Sequence, residues 1–87
     1  MELSKGTGTH KWKVVINGKT TQFGAKGYTD YTLGAGEVKK AAYLARHKTT
    51  ENWTKSGIHT AGFWSRWLLW NKPSIAGSLA DIKRRFL

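Results

Sequence analysis

The side chains able to hold a metal ion or move a proton near neutral pH are three histidines, His10, His47 and His59, and five carboxylates, Glu2, Asp30, Glu37, Glu51 and Asp81. A helical metal site needs two histidines four residues apart on one face, and a metalloprotease helix adds a glutamate between them. No pair of these histidines has that spacing, and the chain has no cysteine to supply a thiolate. Nucleophilic catalysis needs a hydroxyl beside a histidine that a carboxylate orients. Serines and threonines are plentiful, but their spacing singles out no such trio. Gly6-Thr7-Gly8 and Gly34-Ala35-Gly36 lack the strand-to-helix setting and spacing of a phosphate cradle, so they read as turns. The sequence therefore predicts no catalytic residue, no metal and no cofactor.

Its chemistry is that of adhesion. Fifteen Lys and Arg against five Asp and Glu leave a formal net charge of +10 on 87 residues, and five of those residues are tryptophan. Such an excess sets encounter with acidic partners: nucleic acid, an anionic membrane face or the acidic surface of another protein. Three tryptophans and a phenylalanine fall within Phe63–Trp70. At about 100° per residue, Phe63, Trp67 and Trp70 share one helical stripe while Trp64 and Leu68 share the next. A helix that is apolar nearly all round implies burial on two sides, one against its own fold and one against a partner. The expected partner-binding residues are Trp64 and Trp70, with Arg66 between them, where a guanidinium stacks on indole or forks a carboxylate. Basic residues at helix ends, Arg46 and then Lys83, Arg84 and Arg85, are expected to meet acidic neighbours. Nucleic acid is the alternative partner, because single-strand binders also combine cations with aromatics. No ribonucleoprotein, KH or recognition-helix pattern accompanies these tryptophans, so core and protein interface account for them better.

The elements that must position these groups follow from periodicity. Met1 to His10, rich in Gly, Thr and Ser, reads as a flexible basic arm, and residues 11–87 as a single α+β domain. Asn17-Gly18 between two alternating runs specifies a two-residue hairpin with Trp12, Val14, Ile16 and Phe23 on its covered face. The stretch 24–36 holds four glycines and predicts a loop with special backbone angles, anchored by Tyr28 and Tyr31. A first helix from Glu37 to Lys48 is expected to turn Val38, Ala41, Ala42 and Ala45 inward, and Trp53 beyond it is expected to tuck in. The tryptophan helix should run from Thr60 to Trp70, stopped by Pro73. The last helix repeats Ile75, Leu79, Ile82 and Phe86 behind an N-cap at Ser74. The result is an N-terminal β-hairpin followed by three short helices. No apolar run approaches the roughly 20 residues of a membrane span, and the N-terminus has no signal-peptide core, so the chain is expected to be neither secreted nor integral to a membrane. Lack of cysteine suits a reducing compartment.

Lys26-Gly27-Tyr28-Thr29-Asp30-Tyr31-Thr32, Tyr43-Leu44-Ala45-Arg46-His47, Glu51-Asn52-Trp53 and above all Ser56 to Ser74, with Gly62-Phe63-Trp64-Ser65-Arg66-Trp67-Leu68-Leu69-Trp70-Asn71-Lys72-Pro73 at its centre, resemble a small basic protein family of large nucleocytoplasmic DNA viruses. The resemblance covers residues 26–86 and departs at Gly34-Ala35-Gly36, where the family carries more charge. It implies a virion protein and brings no catalytic residue. The expectation is a minor capsid or cement protein of a large icosahedral double-stranded DNA virus. It would assemble in the host cytoplasm, sit on the inner side of the capsid and contact other capsid proteins, with non-specific contact to DNA or an inner membrane. A small nucleic-acid-binding protein packaged with the genome is the alternative.

Overall fold

The computed structural model describes residues 1–87. Three strands, β1 (Glu2–Lys5), β2 (His10–Ile16) and β3 (Lys19–Ala25), form an antiparallel sheet in that order. Three helices follow: α1 (Glu37–His47), α2 (Ala61–Trp64), continued by a π turn over Ser65–Leu69, and α3 (Ile75–Phe86). The α+β arrangement is the one the periodicity predicts.

The hairpin forms as its turn chemistry dictates. Asn17 and Gly18 take φ of 50° and 77°, and the register pairs Ile16 with Lys19, Val14 with Thr21 and Trp12 with Phe23. Val14 and Phe23 are about 1% exposed, and Trp12 and Ile16 pack beside them. The expected flexible arm is corrected: Glu2–Lys5 pair with Val15–Trp12 and add an edge strand that brings Leu3 against the core. The chain reverses at Gly6, where a Cβ would lie 2.5 Å from the His10 carbonyl oxygen, and Thr7 N–H donates to Gln22 Oε1 at 2.8 Å. This turn carries none of the Asn-Gly signal that marks the other.

The tryptophan helix lies between the sheet and α3, which is why it is apolar nearly all round. Trp64 faces Phe23 across 6.0 Å between ring centroids, and Phe63 meets Phe86 of α3 at 4.9 Å. Leu68, Leu69 and Ile82 complete the core. The helix starts at Thr60, whose hydroxyl accepts from the Phe63 N–H. It ends with Trp70 N–H donating to Ser65 C=O, a five-residue step that widens the last turn. Ser74 caps α3 as expected, accepting from the Gly77 N–H at 3.0 Å.

Helix α1 turns its other face. Val38 is 84% exposed, and Ala41, Ala42 and Ala45 are exposed with it, while Lys40, Tyr43, Leu44 and His47 face inward. One tyrosine ring offers more contact area than three methyl groups. Tyr43 stacks on Trp70 at 4.6 Å and under His47 at 4.3 Å. The 24–36 loop has positive φ at all four glycines, as predicted, but Tyr28 is 72% exposed and anchors nothing. Its anchor is Asp30, 2% exposed, which accepts from Lys11 Nζ at 2.7 Å and from the Thr32 N–H at 2.9 Å. Tyr31 does hold the loop, through a hydrogen bond to Glu37 and a place beneath Lys40 Nζ at 4.6 Å.

Candidate functional site

The expected docking residues divide into three groups. Trp64 is 0% exposed and donates Nε1–H to the Ile58 carbonyl at 2.7 Å. It is core, and its expected contact with a partner is corrected: the sheet supplies the second apolar wall that the sequence pattern leaves without an owner. Trp70 is half-buried and covered on one face by Tyr43.

Arg66, Arg84 and Arg85 gather with Trp70 around the loop between the tryptophan helix and α3. Arg66 Nη1 donates to the Trp70 carbonyl at 2.8 Å, and its guanidinium lies 4.3 Å from the Trp67 ring and 5.5 Å from the Trp53 ring. Lys40 Nζ donates to the next carbonyl, that of Asn71, at 2.7 Å. Two cations thus satisfy consecutive carbonyls at a helix C-terminus, where the dipole favours positive charge. Burial, followed by the charge of Arg85, depresses the Arg66 pKa, and burial followed by Arg66 depresses that of Lys40. Arg85 Nε donates to Asp81 Oδ2 at 2.8 Å and its head lies 4.9 Å over Trp67, while Arg84 bonds the other oxygen of Asp81. Asn71 Nδ2 donates to the same carboxylate at 2.8 Å. These groups hold the loop and the helix ends, and they are largely occupied within the chain. Lys83, exposed on the last turn, makes no ion pair.

Arg46 lies apart from them, on a groove the sequence does not announce. A concavity of about 710 Å³ opens between α1 and the end of the β2–β3 hairpin, with Lys39, Ala42 and Arg46 on the helix side and His10 and Lys11 on the strand side. A second, of about 600 Å³, lies across the 28–30 segment and is lined by Lys5, Lys26 and Trp12. Lys11, Tyr28, Thr29 and Asp30 border both. The two carboxylates on these walls are engaged inside the fold: Asp30 by Lys11 and Thr32, Glu51 by Trp53 Nε1–H at 3.0 Å and by His47 Nδ1–H at 3.1 Å. The groove therefore presents cations and donors to solvent, chemistry that binds anions. At its base, burial and then the nearby Glu51 push the Tyr43 pKa up to about 12, so the phenol stays neutral.

Sequence reasoning missed Lys11, Asp30 and Lys39 as parts of one site. A readable signal existed only for Asp30, an aspartate two residues before Thr32 that caps a short turn. The rest depends on how α1 rotates.

A family model described as a family of unknown function, DUF5754, matches residues 4–47. That segment spans the sheet and α1, both walls of the groove, and ends before the tryptophan run. No curated protein and no solved structure matches the chain significantly.

Proposed function

The chain belongs to the DUF5754 family of unknown function, and we propose that it is a small, non-catalytic structural protein that docks on acidic surfaces through its cations. The setting follows from the resemblance carried by residues 26–86: a minor component on the inner side of the capsid of a large icosahedral double-stranded DNA virus. One observation carries the reading. Ion pairs with carboxylates engage Lys11, Arg84 and Arg85 among the fifteen Lys and Arg, so most of the cations have no carboxylate partner within the chain. A domain this small does not need such an excess to fold, and self-repulsion works against its compact state. With Trp64 in the core, docking falls to cations such as Arg46 and Lys83 more than to indole rings.

The alternative, a nucleic-acid-binding protein packaged with the genome, is favoured by the cationic groove beside an exposed tyrosine. Stepwise stripping of purified particles, with the chain quantified in each fraction, separates the two. Release with the shell, promoted by raised salt, is expected. Retention with the genome after the shell has gone supports the alternative, and absence from particles overturns both.

A further inference from the structure

We infer that the groove between α1 and the hairpin end takes a single-stranded nucleic acid, with phosphates along Lys39 and Arg46 and a base stacked on Tyr28. The inference rests on the reading of the chain as a docking protein for acidic surfaces and names one such surface. Lys39 and Arg46 are seven residues apart on α1, so they share a face with heads separated by about two turns, roughly 10 Å. Between them Ala42 contributes only a methyl group, which keeps the wall low and open to a chain lying along it.

Tyr28 stands at the ridge between the two concavities, 72% exposed. Its loop is not slack. Gly27 takes φ of 88°, the Tyr28 N–H closes a turn on the Ala25 carbonyl at 3.3 Å, and Asp30 is tied down two residues later. The ring is presented on a fixed support, with cations on both sides: Lys39 and Arg46 beyond one concavity, Lys5 and Lys26 beyond the other. A polyanion crossing the ridge finds positive charge before and after the ring and meets no unengaged carboxylate. Cations that track a backbone, with aromatics between them for the bases, are the usual design of single-strand binding sites. A duplex keeps its base faces stacked inside the helix and offers only their edges in the grooves, whereas a single strand can lay a base face on an exposed ring. An acidic peptide would satisfy the same lysines but lacks the planar groups that reward an exposed ring.

The test uses the full chain and a dye-labelled oligothymidylate, with duplex DNA and polyglutamate as competitors, near 0.15 M salt. Oligothymidylate should bind more tightly than either competitor. Tyr28→Ala should weaken it roughly ten-fold and Tyr28→Phe should restore it. Replacing Lys39 and Arg46 together by Gln should flatten the dependence of log K on log salt by about 1.4, two phosphate contacts on a single strand. Lys19→Gln, on the hairpin turn, should leave that slope nearly unchanged. Equal binding by Tyr28→Ala and the parent overturns the inference, as does duplex or polyglutamate competing as well as the single strand. If the chain still leaves particles with the shell, such a result removes the groove and spares the docking reading; a positive result with a chain absent from particles does the reverse.

Discussion

Asp81 illustrates how much of this fold hangs on single polar side chains. Its carboxylate is 4% exposed and receives Asn71 Nδ2–H, Arg85 Nε–H and a bond from Arg84. The hydrogen bond from Asn71, with those from Arg85 and Arg84, holds the carboxyl well below the usual carboxylate range, although burial pushes the other way. A folded-state pKa below the unfolded value means that the contribution to stability is complete above about pH 4 and is lost as pH falls toward the depressed value. Denaturant midpoints should therefore fall steeply below pH 4 in the parent and less steeply in Asp81→Asn. At neutral pH Asp81→Ala should cost about 1–3 kcal/mol, mainly by leaving the buried Asn71 amide without a partner, since Arg84 and Arg85 return to water. Tyr43 has the opposite sign. Its pKa is raised by burial, so the neutral phenol stabilises the fold below pH 10, and that contribution is lost as pH climbs toward about 12. Phenolate absorbance should show the Tyr43 phenolate appearing only together with unfolding, and its appearance in the folded chain near pH 10 would contradict its burial.

At the scale of elements, the sheet and the tryptophan helix meet through glycine. Gly24 takes φ of 74°, and a Cβ there would lie 2.9 Å from Leu69 Cδ1 and 3.2 Å from Lys11 Cβ. Leu69 is 2% exposed and part of the core, so its methyl moves only at the expense of packing there. Gly24→Ala should cost about 2–4 kcal/mol, backbone strain plus overpacking, and Gly27→Ala, where nothing lies within 4 Å, only about 1 kcal/mol. Urea unfolding of the pair checks the difference. Strand β1 makes a second test, because a dangling arm and an edge strand have different consequences. Removing residues 1–5 should lower stability by about 2 kcal/mol through loss of Leu3 and its strand pairing, whereas loss of a true arm would change nothing.

For the whole molecule the dominant quantity is charge. The body measures 36 × 27 × 24 Å, close to the Debye length of about 30 Å at 0.01 M salt and far above the 8 Å at 0.15 M. At low salt every cation therefore repels every other, and at physiological salt only near neighbours do. Raising salt across that range should stabilise the chain. Relief of about 1 kcal/mol corresponds to a rise of about 4–8 °C in Tm, and a melting temperature indifferent to salt would show that the excess is neutralised in ways the ion pairs do not reveal.

Features under local control are legible along the chain. Asn17-Gly18 set the hairpin and its register because few turns accept positive φ twice, and period-two alternation chose its buried face. Ser74, Ile75, Leu79, Ile82 and Phe86 marked α3, cap included. The aromatic run marked a helix needing cover on two sides. Which elements supply that cover is settled by contacts far apart in the chain: the sheet packs on Trp64 and α3 on Phe63. It also rotated α1, since a pattern of small residues and a pattern of Lys40, Tyr43, Leu44 and His47 are equally regular, and only the presence of Trp70 opposite rewards the second. That rotation places Lys39 and Arg46 over the groove, and so the candidate site itself lay beyond what periodicity could specify.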